Sequence, residues 1–365
     1  MADVVVIGAG PAGIFASMEL VKTSPGIDLV MVEQGSDIDT RGRTGRDMLV
    51  GWGGAGAYSD GKLTVSTDVG GQLSAIMPED DLLDLLTYVD GIYERRSPGS
   101  ALFAMDPEEV ASMAAKARLA GLVFVPARVR HLGTEHLRTI LEVFRRELEG
   151  KARMLFGVRA AEILADKGRV TGVRLEDSSV IPARYVIAAP GRVGSAWMRQ
   201  QAHRLGLESR PNPVDVGVRV ELPAVVLEPL TSRAYETKFV HFSRTFDDKV
   251  RTFCMNPYGE VVIETVGDLV TVNGHSWATK RTENTNFALL VSANFTEPFD
   301  DPIGYGESVA RLANMLGKGV IVQRLGDLLD GRRSTAERIR RGLVRPTMES
   351  ATPGDLSLVL PYRHL

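Results

Sequence analysis

The opening segment ADVVVIGAGPAGIFASMELV carries an apolar run that halts at a glycine cluster and resumes with helical spacing. That order predicts a short buried strand, a tight turn and an amphipathic helix. A second apolar run, IDLVMVEQG, predicts a strand ending at Glu33. Residues 78–97 and 107–122 have helical patterning, the latter opened by Asp106 and Pro107, and Gly133 and Thr134 open a further helix through Leu148. The runs MLFGV, AAEILA, VTGVRLE and YVIAA predict short strands with turns at Lys167-Gly168 and around Ser178-Ser179, followed by a helix holding Ser195, Trp197 and Met198. From Pro211 to about Gly331 the pattern shifts to alternating strands such as VDVGVRVELP and GEVVIET, with turns expected at Asn256-Pro257-Tyr258-Gly259 and at Asn273-Gly274. RSTAERIRRGLVRPTM predicts a basic helix with Arg338, Arg341 and Arg345 as a solvated stripe on one face.

Strands that alternate with helices, then a region rich in strands, indicate an α/β fold carrying an inserted α+β domain. The 365 residues suffice for about two domains, each able to bury its own core. A formal charge of −3 leaves no global basic field for nucleic acid, so a charged ligand must be held locally. Cys254 is the single cysteine, which excludes an internal disulfide and a Cys-x-x-Cys redox pair and suits a reducing, cytoplasmic setting. No stretch reaches the roughly 18–20 apolar residues of a membrane span, and no metal-ligand cluster stands out.

Chemistry enters through the first turn. Gly8, Gly10 and Gly13 have the G-x-G-x-x-G spacing between strand and helix. Gly8 permits the tight turn, Gly10 lets backbone approach a pyrophosphate, and Gly13 lets helix and strand pack closely. Pro11 stands at the first helical position, where its missing N–H costs nothing, and the free N–H groups beyond it suit phosphate. Glu33, twenty residues after Gly13, is placed to accept hydrogen bonds from ribose hydroxyls, with Gln34 beside it. A glycine-dense stretch follows, in which Gly53, Gly54, Ala55 and Gly56 can bring backbone against the far half of a dinucleotide, flanked by Ser59, Asp60 and Lys62. Arg41, Arg43 and Arg46 read as a solvated loop cluster. Ala189, Pro190 and Gly191 form a second turn where backbone can pass close to a cofactor.

These features resemble flavoproteins with the glutathione-reductase-type FAD-binding fold. The ordered segments GGAGAYSDGKLT, DVGVRVE, RTFCMNPYGEVV, NGHSW and TNFALLVS make the chain similar, over nearly all its length, to a large family of FAD-dependent dehydrogenases of bacteria and archaea. The resemblance implies FAD as cofactor, with Gly8, Gly10, Ala12, Gly13 and Glu33 on the ADP moiety, Val158 holding adenine by its backbone, and Gly53 to Gly56 near pyrophosphate and flavin. It implies a Rossmann-like FAD-binding domain, a parallel sheet with a small β-meander, over 1–76 and 131–210. A helical insertion is expected at 77–130, a substrate domain at 211–331, and an incomplete return to the FAD domain at 332–365. Asn256 stands where the family usually has a second cysteine, and in the family a Gly-Asp segment after the Leu-Pro-Tyr-Arg stretch closes the cofactor site, whereas here that stretch is followed only by His364 and Leu365, so an incomplete site is expected. The expectation is an exposed apolar groove beside the first strand, a route to homo-oligomers.

The resemblance implies an FAD-dependent oxidoreductase acting on a small organic substrate, with NAD(P)H as candidate transient donor. Lys62 is a candidate for the flavin N1–C2 edge and His275, in Asn-Gly-His-Ser, for acid/base work, whereas Cys254 reads as a core residue. A flavin monooxygenase, a prenyl-lipid reductase and a non-catalytic dinucleotide-binding module are the alternatives.

Overall fold

The computed structural model of the chain describes residues 1–42, 49–71, 73–277, 282–295 and 301–364, with backbone alone for Thr134 and Glu135. Arg43 and Arg46 lie outside the described residues. The chain forms two compact units, residues 1–59 with 136–210, and residues 60–135 with 211–365. This division differs from the sequence reading at three places, one of them residues 131–135, which belong to the second unit. Residues 60–76 and 332–365 join the second unit, because Lys62–Val65 pairs with Arg128–His131 and Ile321–Val322 pairs with Thr352–Pro353.

In the first unit, four parallel strands run in the order Arg153–Phe156, Leu29–Glu33, Ala2–Ile7, Val180–Ala188. The start of Val180–Ala188 pairs instead with Arg169–Leu175, which pairs with Ala160–Asp166, so one long strand joins the parallel sheet to an antiparallel meander. An α/β sheet of this kind was expected. Val5, Val30, Val32 and Val173 are sealed in its core. The continuous apolar runs follow from the two-sided burial of parallel strands. Ala2–Ile7 is hydrogen-bonded to a strand on each side, so it is a central strand and not an edge open to pairing. The helices Pro11–Thr23 and Thr134–Leu148 meet through an edge-to-face contact of Phe15 with Phe144.

The second unit holds an antiparallel sheet ordered Val214–Pro223, Asn284–Ala293, Lys249–Asn256, Lys238–Phe242, Val123–Val125. A three-stranded sheet, Lys62–Val65, Arg128–His131, Ala101–Phe103, and a hairpin, Glu260–Val266 with Leu269–His275, complete its larger β elements. The helices Glu79–Arg96 and Pro107–Leu119 form as the pattern predicts, and the Asp106 carboxylate caps the latter by accepting from Glu109 N–H. Two expectations fail here. The hairpin turns at Gly267-Asp268, and Asn273-Gly274 lies inside a paired strand. The basic helix is a single turn, Ala336–Arg340, and Arg341 is already its cap. Among the described residues no helix is long and apolar enough to cross a membrane.

Candidate functional site

In the first unit the three fingerprint glycines stand in different surroundings. Gly8 has φ +100°, and a Cβ there would lie 2.2 Å from the Ala189 carbonyl oxygen. A Cβ on Gly13 would lie 1.9 Å from the Gly8 oxygen, so this glycine lets helix meet strand. Gly10 differs. Its φ is an ordinary −78°, and a Cβ would find only the Gly54 Cα, at 3.9 Å. Among the described residues nothing demands a glycine at Gly10. The helix that follows starts with Pro11 and has no side-chain cap at Gly10, which leaves its N-terminal dipole and N–H groups for an anion. An open glycine before an uncapped helix fits the pyrophosphate of FAD.

The glycine loop is built against this turn. Gly53 N–H donates to the Ala9 carbonyl at 2.8 Å, and Cβ atoms on Gly54 and Gly56 would press within 2.9 Å of Gly10 and Pro11. Gly54 to Tyr58 wind into a single 3₁₀ turn around Ala55, and the Ser59 hydroxyl donates to the Gly56 carbonyl. Two side chains to which the sequence reading gave no part in the site fasten the loop. Trp52, fully buried, donates from Nε1 to the Leu141 carbonyl at 2.8 Å. Arg41 is buried rather than solvated, with Nη1 on the Trp52 carbonyl and Nη2 on the Gly54 carbonyl at 2.7 Å. A tryptophan within a polar glycine stretch was the available signal. Arg41 had none, because its neighbouring arginines made it look like a surface cluster.

Glu33 stands at the strand end as expected, but it is buried and its carboxylate accepts from Ala9, Gly35 and Gly51 N–H groups at 2.7–2.9 Å. Three of about four lone-pair positions are therefore filled by backbone, and one on Oε2 is left for a ribose hydroxyl. Gln34 is half-buried and accepts from Arg159. The Val158 N–H donates to the Glu33 carbonyl at 3.0 Å, so its contribution to an adenine site is limited to its carbonyl and side chain. Ala189 N–H bonds the Ile7 carbonyl, and Pro190 and Gly191 follow at the carboxyl end of the sheet, where doubly wound folds hold their ligands.

The second unit contains a buried polar network. Lys62 is neither exposed nor uncommitted: its ammonium meets Asp60 at 2.9 Å, Glu236 at 2.7 Å and the Met255 carbonyl at 2.9 Å. All three of its hydrogens are thus used. Burial works against the Lys62 charge, but Asp60 and Glu236 outweigh it and hold the ammonium well above the usual lysine range. Burial alone would raise Asp60, and Lys62 brings its carboxyl below the ordinary value. Cys254, buried as expected, sits in polar surroundings and donates to Asp60 at 3.1 Å, and burial pushes its thiol up. The Ser276 hydroxyl donates to the Asp60 carbonyl and lies 3.1 Å from His131 Nε2, which is 3.0 Å from the Tyr235 hydroxyl. Burial pushes the Tyr235 phenol up to about 12. His275 ends its strand opposite Glu260, half-buried, and burial lowers its pKa. Lys62 and Asp60 were singled out from sequence. His131, Tyr235 and Glu236 were not, because they are scattered along the chain. Among the described residues no group of three or more His, Cys, Asp or Glu is placed to hold a metal ion.

Residues 213–363 match the model of a family described as FAD-dependent protein, C-terminal domain-like. An uncharacterised protein of Clostridium beijerinckii is 25% identical over 363 aligned residues, covering 91% of this chain and 60% of the relative, so the chain spans about three fifths of that relative's length. Among solved structures, glycine oxidase from Geobacillus kaustophilus is similar at 16% identity, with 80% of this chain and 72% of that one covered and a TM-score of 0.38. Glycerol-3-phosphate dehydrogenase from Bacillus halodurans, complexed with FAD, is similar at 12% identity, with 86% and 53% covered and a TM-score of 0.39. The matched residues 213–363 all lie in the second unit, which is similar over that stretch to the C-terminal domain of an FAD-dependent protein.

Proposed function

We propose that the chain is an FAD-dependent oxidoreductase acting on a small organic substrate. The observation that carries this reading is Gly10, a glycine that the fold does not need, set before an uncapped helix N-terminus. Gly8, Gly10, Pro11, Ala12 and Gly13 would hold the pyrophosphate, Glu33 the ribose through Oε2, with Gln34 and Val158 alongside. Gly53, Gly54, Ala55 and Gly56, with Ser59, Ala189, Pro190 and Gly191, would supply further backbone contacts. When bound, FAD supplies the hydride chemistry.

The chain's own side chains hold charge and protons. Lys62, with every hydrogen engaged, suits a fixed positive centre rather than a proton donor. His275, half-buried and biased toward its neutral form, is suited to accept a proton. NAD(P)H is proposed as the electron donor. The test is the visible spectrum of purified protein before and after added FAD, then anaerobic addition of NADH or NADPH. A yellow protein that bleaches with either nucleotide supports the reading. A protein that takes up no FAD refutes it, and oxygen consumption dependent on substrate would favour a monooxygenase.

A further inference from the structure

The segment from Arg324 to Arg345 carries seven arginines against Asp327, Asp330 and Glu337, whereas the whole chain has a formal charge of −3. The excess of four positive charges is therefore local, and the rest of the chain is acidic. Arg332 pairs with Asp327 and Asp330, and Arg341 pairs with Glu337. Arg333, Arg340 and Arg345 are exposed and make no ion pair among the described residues. Three uncommitted guanidiniums on one stretch of surface leave a local field that attracts an anionic partner.

One buried carboxylate organises this stretch. Asp327, fully buried, accepts from Arg332 Nε and Ser334 Oγ at 2.8 Å and lies 3.9 Å from the guanidiniums of Arg324 and Arg338. The Arg324 N–H donates to Ser334 Oγ, which closes residues 324–334 into a loop over that carboxylate. Within the loop Leu325–Leu329 is one helical turn. Residues four apart share a helix face and residues two apart lie on opposite sides, so the inward position of Asp327 turns Leu325 and Leu329 outward together. They are 69% and 77% exposed. Gly342 lies against Arg324, since a Cβ there would come 3.7 Å from its Nε, and this puts Leu343, 98% exposed, beside the same loop.

A single exposed leucine is ordinary, but three of them set among arginines narrow the kind of partner. Nucleic acid takes the guanidiniums and leaves the leucines in water. A protein groove that receives a helix face needs apolar positions continued over several turns, and Leu325–Leu329 is a single turn. The surface of an anionic bilayer uses both kinds of side chain. Leucines enter the boundary between headgroups and acyl chains, while arginines stay among the lipid phosphates.

We propose that residues 324–345 form a docking surface for a membrane of anionic phospholipid, with Leu325, Leu329 and Leu343 entering the headgroup region and Arg333, Arg340 and Arg345 on the phosphates. This surface stands apart from the flavoenzyme reading, and its binding is measured without reference to flavin content. Purified protein is sedimented with vesicles of phosphatidylcholine alone and of phosphatidylcholine containing phosphatidylglycerol. Binding to the anionic vesicles should be roughly tenfold or more tighter and should weaken as salt is added. An arginine near an anionic surface contributes about fivefold to binding, so Arg333→Gln, Arg340→Gln and Arg345→Gln together should cost roughly a hundredfold. Leu325→Ser, Leu329→Ser and Leu343→Ser together should cost roughly tenfold or more. Lysine at the same three arginine positions keeps the charge and should bind as the wild type does, which separates lost docking from lost folding. No preference for the anionic vesicles, wild-type binding in both the glutamine and the serine variants, or lost binding in the lysine variant would overturn the proposal. Duplex DNA bound in place of the vesicles, by wild type and serine variant alike, would overturn it in favour of nucleic acid. A dimer that binds no vesicles and that the serine variant dissociates would overturn it in favour of a second copy of the chain.

Discussion

Alanine at Gly10 and at Gly13, one at a time, separates a glycine that the ligand requires from one that the fold requires. At Gly13 the new methyl would stand 1.9 Å from the Gly8 oxygen and 3.0 Å from its carbonyl carbon. These are backbone atoms that cannot rotate away, so helix and strand must separate, at a cost of about 1–3 kcal/mol or more. At Gly10 the nearest heavy atom is 3.9 Å away and the backbone conformation suits any residue. Reduced chain entropy and the poorer capping preference of alanine oppose each other there, and folding should change by no more than about 1 kcal/mol. Pyrophosphate running along that backbone would be displaced, and one charge-assisted hydrogen bond is worth about 1.5–3 kcal/mol. Gly10→Ala should therefore bind FAD roughly tenfold to a hundredfold more weakly. Urea midpoints report the first quantity and FAD titration by flavin fluorescence the second. The reasoning fails if Gly10→Ala retains full FAD affinity, or if it loses as much stability as Gly13→Ala.

Lys62→Met leaves the buried carboxylates of Asp60 and Glu236 without their cation and should cost about 3–5 kcal/mol, so a wild-type urea midpoint would refute the pairing. Arg41→Met removes two bonds to loop carbonyls, each worth about 1.5–3 kcal/mol, and should both destabilise the first unit and weaken FAD binding; an unchanged FAD titration would show that the loop needs no such fastening. His275 has a pKa depressed below 6.5 in the folded state. Above pH 6.5 both states are neutral there. As the pH falls below 6.5 the unfolded state takes the proton first, and stability declines until the pH passes the folded value. His275→Gln should flatten that part of the curve of Tm against pH, and an identical slope would exclude His275 as its source.

The turn between the first strand and the first helix was legible because its parts are contiguous. Strand, glycines, Pro11 and helix occupy one local segment, and Glu33 follows one strand later, so local sterics and period were sufficient to read them. The helices at Glu79–Arg96 and Pro107–Leu119 were readable for the same reason, with Asp106 and Pro107 marking a start. What the sequence could not determine is where polar residues in strands point. In VDVGVRVELP the charged positions alternate with apolar ones, as they would on a strand with one solvated face. Only the neighbouring strands decide otherwise, since Asn286 and Asn256 come beside Arg219 through pairings that span the second unit. Gly274 shows the same limit. Asn-Gly is a strong local turn signal, yet the dipeptide stays extended, paired with Val261 and Val262, with the missing Cβ leaving space for Arg219 and Asn256. Lys62 likewise reads as a surface or ligand-facing lysine until residues 236 and 255 close on it. Short-range geometry is written in adjacent residues, whereas the partner of a buried charge is chosen by tertiary contacts that no local pattern records.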